Sequence, residues 1–115
     1  MPVSNHLRRL LLQTIADTIN EVVIGFDGTP ATSEDGSAGR PAVSLTPTVT
    51  IIDDTALLVE VSLNAQDFAF TDKIREVYIQ YRDTSDFTPV ARYTTKPIMK
   101  SNSNELHIEI LIEVA

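Results

Sequence analysis

Two runs of strict alternation in the last third of the chain constrain the fold more than any other feature. In Glu76-Val77-Tyr78-Ile79-Gln80-Tyr81-Arg82 the odd positions are bulky and β-prone. In Leu106-His107-Ile108-Glu109-Ile110-Leu111-Ile112-Glu113-Val114 every even position is aliphatic. Successive side chains on a strand point to opposite faces, so each run makes one apolar wall and one wet wall. An apolar wall must be covered by a second layer. The chain therefore predicts a mainly β fold built as a small antiparallel β-sandwich, preceded by one N-terminal α-helix.

The other elements follow from local patterning. Leu7, Leu11, Ile15 and Ile19 recur at steps of four behind a possible N-cap at Ser4 or Asn5, which predicts a helix over about 4–20 with that row as its apolar stripe. Glu21 to Phe26 reads as a short strand or extended exit. Asp27 to Pro41 holds three of the four glycines and many Ser, Thr and Pro, so 27–41 is expected to be a long, mobile loop. Ala42 to Ile52 alternates around Pro47, which suggests an edge strand or a bulge. Asp53-Asp54-Thr55 then turns the chain into a strand over Ala56–Leu63, making a hairpin. Asn64 to Asp72 is a loop carrying Phe68 and Phe70. Further strands are expected over Arg75–Arg82, Thr88–Thr95 and Glu105–Val114, with an irregular connection over Lys96–Asn104. The count is five to six strands in a single domain, with the sandwich over about 42–115.

Size and composition narrow the function classes. A chain of 115 residues is one domain, and a compact fold of that length has a radius of gyration of roughly 13 Å. Net charge is −7, with only nine scattered Lys and Arg. A nucleic-acid partner is not expected, because counterion release wants a basic face. Zero cysteines removes disulfides, thiolate nucleophiles and Cys-ligated zinc. No apolar run approaches the roughly 18 residues of a membrane span, so no membrane is expected. Gln13, Thr14 and Asp17 interrupt the apolar start at once, so it reads as a mature helix and not a leader.

Candidate chemistry is sparse. His107 shares the wet face of the last strand with Glu105, Glu109 and Glu113, a composition that can bind metal. Residues two apart on a strand lie about 7 Å apart, too far for a tight site without other ligands, so the face is read as solvated acid. Cross-strand pairs from Arg75, Arg82 or Arg92 to that face would stabilise little. Asp27, Glu34 and Asp35 lack the spacing of an EF-hand. Gly36-Ser37-Ala38-Gly39 is not a nucleophile elbow, and Gly25-Phe26-Asp27-Gly28 lacks a phosphate loop's lysine. No enzyme activity, cofactor or metal is expected. Tyr78, on the face opposite Val77 beside Gln80, is either exposed and available for protein or sugar contact, or covers the second sheet face under the helix.

Several short motifs occur in a telling order behind the helix: Gly28-Thr29, Ile74-Arg75-Glu76-Val77, Val90-Ala91-Arg92, Lys100, and the final run Glu105 to Val114. This succession resembles the N-terminal attachment domains of bacteriophage tail and collar fibres. The resemblance implies a virion structural protein, assembled in the host cytoplasm, with no catalytic residues to carry over. The family domain usually begins a long fibre, whereas this chain ends at Ala115, so the expectation is a small adaptor joining fibre, baseplate or collar components to the particle. Its partners would be other virion proteins, in homo-oligomeric or repeated copies. A capsid decoration or cement protein is the alternative, and a host-glycan-binding module using Tyr78 and Gln80 a more distant one. The residues expected to touch neighbours are Leu7, Leu11 and Ile15 on the helix, Asp27, Gly28, Thr29, Pro30 and Arg40 in the loop, and Tyr78 and Leu111 on the strands.

Overall fold

A computed structural model describes residues 4–32, 39–65, 69–83 and 86–113, apart from the Phe87 side chain. Helix α1 (Asn5–Thr18) comes first, followed by strands β1 (Glu21–Gly25), β2 (Pro41–Leu45), β3 (Thr48–Ile51), β4 (Ala56–Leu63), β5 (Ile74–Asp83), β6 (Asp86–Ile98) and β7 (Leu106–Glu113). They form two antiparallel sheets, ordered β2-β1-β5-β6 and β3-β4-β7. The helix-plus-sandwich architecture is the one expected from the alternation. Expected residues Glu34, Asp35, Gly36, Ser37, Ala38, Phe68, Thr84, Ser85 and Val114 lie outside the described residues.

The strand count is seven among the described residues because the expected strand over 42–52 is two strands. Pairing stops at Thr46-Pro47, and the chain passes from one sheet to the other. Proline has no N–H to give to a ladder, so it suits a break between strands. Strand β6 also outruns its expected end and reaches Ile98. Its prolines, Pro89 and Pro97, fall where the β5–β6 register shifts. At 13 residues this strand spans roughly 43 Å. That length accounts for an elongated domain, 48 × 30 × 27 Å with a radius of gyration of 15.0 Å.

The core lies between the sheets. Val22, Ile24, Val77 and Ile79 face Leu57, Val59, Val61 and Leu63, and the even-numbered residues of β7 from Leu106 to Ile112 pack against them. Full burial of one such aliphatic side chain stabilises by about 1.5–3 kcal/mol. The other face of β5 is not wet as expected: Glu76, Tyr78 and Gln80 are buried as well.

Ser4 caps the helix, its Oγ accepting from the Leu7 N–H at 3.1 Å. At the other end the Asn20 side chain exchanges two hydrogen bonds with the Arg82 backbone (2.9 and 2.8 Å), which fixes the step from helix to β1. Among the described residues no helix is long and apolar enough to cross a membrane.

Candidate functional site

The helix presents two apolar faces. Each step of four advances a residue by about 40° around a helix of 3.6 residues per turn. The expected stripe Leu7-Leu11-Ile15-Ile19 therefore winds from one side to the other. Its end is inside: Ile19 is buried, Ile15 packs on the core, and Leu12 and Ala16 join them. Its beginning is outside: Leu7 and Leu11 are 45% and 43% exposed, and Leu10 is 53% exposed. Leu10 and Leu11 lie roughly 60° and 40° to either side of Leu7, so the three form one exposed apolar face. Arg9 on this helix bonds Asp54 in the β3–β4 turn at 2.9 Å, and the same connection carries Ile52, also 53% exposed.

The described ends of the loop after β1 are anchored, while 33–38, the middle of the segment expected to be mobile over 27–41, lie outside the described residues. Glu76 is the anchor. Its Oε2 accepts the N–H groups of Asp27 (2.7 Å) and Arg40 (2.9 Å), and its Oε1 accepts that of Gly39 (2.7 Å). Arg92 Nε donates to the same Oε1 at 3.1 Å. The rest of the Arg92 guanidinium reaches the Asp27 and Thr29 carbonyls at 3.0 and 2.9 Å. Burial pushes the Glu76 carboxyl upward, but the N–H donors of Arg40, Asp27 and Gly39, together with Arg92, outweigh it and hold the group below the ordinary range. Gly25 makes room for this knot: a Cβ there would lie 2.5 Å from the Arg40 carbonyl oxygen and 2.6 Å from Glu76 Oε2.

Asp27 in turn accepts the N–H and hydroxyl of Thr29 at 2.9 and 2.7 Å, and these bonds lower its carboxyl. Gly28, Thr29 and Pro30 are exposed on top of the anchored segment. Arg40 lies over the Phe26 ring, 5.7 Å from its centroid, and pairs with Asp72 at 3.3 Å. Arg75 pairs with Asp72 and Arg82 with Glu21, so the arginines expected opposite the β7 acids are engaged elsewhere.

Tyr78 requires a correction. It is fully buried, flanked in register by Val23 on β1 and Arg92 on β6. Gln80 is only 3% exposed. Neither side chain offers a surface to a sugar or a partner in this fold. Arg92 is also covered, 4% exposed, although it points away from the sandwich core. Leu111, by contrast, is half exposed on the wet face of β7, as the alternation indicated.

Lys100 is a buried cation that sequence reasoning did not place. Its Nζ donates to the carbonyls of Ser101 (2.6 Å) and Ala65 (3.4 Å), tying the β6–β7 connection to the β4–β5 loop. Comparison of the chain with protein-family models, with curated proteins and with solved structures found no significant match.

Proposed function

We propose that this chain is a small structural subunit of a bacteriophage particle, an adaptor that joins fibre, baseplate or collar components through shape-complementary docking. The observation that carries this reading is the exposed apolar face of α1, made by Leu7, Leu10 and Leu11. Single exposed leucines are ordinary, but a cluster on one rigid helix marks an interaction surface. A second support is the position of the residues that carry the family resemblance. Glu76 and Arg92 meet in one buried polar knot that reaches the Thr29 carbonyl, with Gly28-Thr29 exposed above it, and Lys100 is buried shortly before the last strand in sequence. Such residues hold a scaffold in one shape, as a docking module requires.

Docking in this reading uses the helix face and the exposed crest Gly28-Thr29-Pro30. Repeated copies around a symmetric particle let modest contacts add through avidity. The test is affinity purification of tagged chain from phage-infected cells, with mass spectrometry of what comes with it. Fibre, baseplate or collar proteins should co-purify at fixed copy number, and a Leu7→Ser/Leu10→Ser/Leu11→Ser variant should lose them while melting like the parent. Retention of the partners by that variant, or absence of the chain from purified particles, would overturn the reading.

A further inference from the structure

Strands β4 and β7 bring four polar side chains together on the outer face of the smaller sheet. In register, Ser62 stands opposite His107 and Glu60 opposite Glu109. His107 Nε2 lies 3.1 Å from Glu109 Oε1 and 3.4 Å from Glu60 Oε2. Its other ring nitrogen, Nδ1, lies 2.8 Å from Ser62 Oγ. The separation of about 7 Å between alternate residues on one strand does not apply here, because the second carboxylate arrives from the neighbouring strand.

We propose that Glu60, His107 and Glu109 form a binding site for a divalent transition metal of the zinc class. Three features carry it. A tetrahedral ion with bonds of about 2.0–2.1 Å sets neighbouring ligand atoms roughly 3.4 Å apart, close to the 3.4 and 3.1 Å from His107 Nε2 to the Glu60 and Glu109 carboxylates, and the three ligand atoms lie within 4.8 Å of one another. Ser62 lies outside the trio with its Oγ 2.8 Å from Nδ1, so when a metal takes the Nε2 lone pair and the ring proton sits on Nδ1, the Ser62 hydroxyl is placed to accept it. Orientation of a ligating imidazole through its far nitrogen is the usual second layer of a metal site. Finally, two glutamates directly opposite one another in a ladder repel, and a cation between them removes that cost. One imidazole with two carboxylates suits zinc, nickel or copper, whereas calcium and magnesium prefer all-oxygen sets. The fourth position stays open to water. The site is on a different sheet from the loop anchor and does not depend on the proposed function.

The test is calorimetric and NMR titration of the full chain with zinc chloride at neutral pH. One ion per chain should bind with micromolar affinity, shift the His107 ring resonances and raise the melting temperature. His107→Ala should abolish binding, and Glu60→Gln and Glu109→Gln should each weaken it. Ser62→Ala should weaken it by about 10-fold or more, and His6→Ala should leave it unchanged. All five positions are exposed or half-exposed, so the variants fold. An absence of saturable binding would overturn the site, leaving a surface imidazole hydrogen-bonded to acids. So would binding that survives His107→Ala.

Discussion

Arg92 Nε donates to Glu76 Oε1 at 3.1 Å across the β5–β6 ladder, with 4% of the arginine side chain and none of the glutamate exposed. A buried pair of this kind is not by itself a source of stability, since removing both charges from water is costly. It is instead a commitment. Once Arg92 is placed there, Glu76 must be ionised, and three backbone N–H groups of the earlier loop between β1 and β2 must come to it.

Glu76→Ala should therefore destabilise the domain by about 3–5 kcal/mol, the usual penalty for stranding a buried charge. Against a total of roughly 5–15 kcal/mol, that is enough to unfold much of the population. Urea melts followed by circular dichroism measure it. The Glu76→Ala/Arg92→Ala double variant should lose less than the sum of the two single variants.

The pH dependence has a definite direction. Glu76 and Glu21 both have folded-state carboxyls held below their ordinary value of 4.5, because hydrogen bonds to the charged form exceed the opposing effect of burial. As pH falls, the unfolded chain takes up those protons first. The stability they supply is thus fully present above about 4.5 and is lost as pH drops through the folded values. Melting temperature should be level from pH 6 to 7 and fall below about pH 4.5. Glu76→Gln should start lower and fall less steeply.

Gly25→Ala should cost about 1–3 kcal/mol, the range for overfilling a packed site. The added methyl would meet the Arg40 carbonyl and the Glu76 carboxylate, and the first of these is backbone. Thermal melts measure the loss, and hydrogen exchange at the Asp27 and Arg40 amides should report the loosened anchor.

The two faces of α1 should separate cleanly under mutation. Leu12→Ala should destabilise by about 2–5 kcal/mol, because Leu12 is fully buried. Leu7→Ser, Leu10→Ser and Leu11→Ser should each stay within about 0.5 kcal/mol of the parent. Chemical denaturation of the four variants measures the contrast, and equal losses on both faces would show that the exposed leucines are packed.

Whatever depends on period alone was legible in the chain. The odd residues of β4 and the even residues of β7 point inward as the alternation required, and the Ser4 cap sits at the first turn. The buried polar knot was not legible. Glu76, Tyr78 and Gln80 occupy positions that read as the wet face of an alternating strand, and nothing local shows that a loop fifty residues earlier folds over them. The helix stripe was half right for a geometric reason: a row of steps of four drifts, and over four residues it passes from solvent into the core. His107 was read from its own strand alone, and only strand pairing reveals Glu60 and Ser62 as its neighbours. Pro47 was seen as an irregularity, but its consequence, a change of sheet, belongs to tertiary structure.

The order of strands also limits how copies of this domain can join. Strand β6 is an outer strand of its sheet and carries Pro89 and Pro97, which have no N–H to offer an incoming chain. Strand β7 is an outer strand of the other sheet and has no proline, but its solvent-facing side chains include His107, Glu109 and Glu113. Pairing two such edges would bring acids of separate copies together. Two of the four outer strands thus disfavour sheet extension, which leaves the short edges β2 and β3 as the ones through which copies could pair.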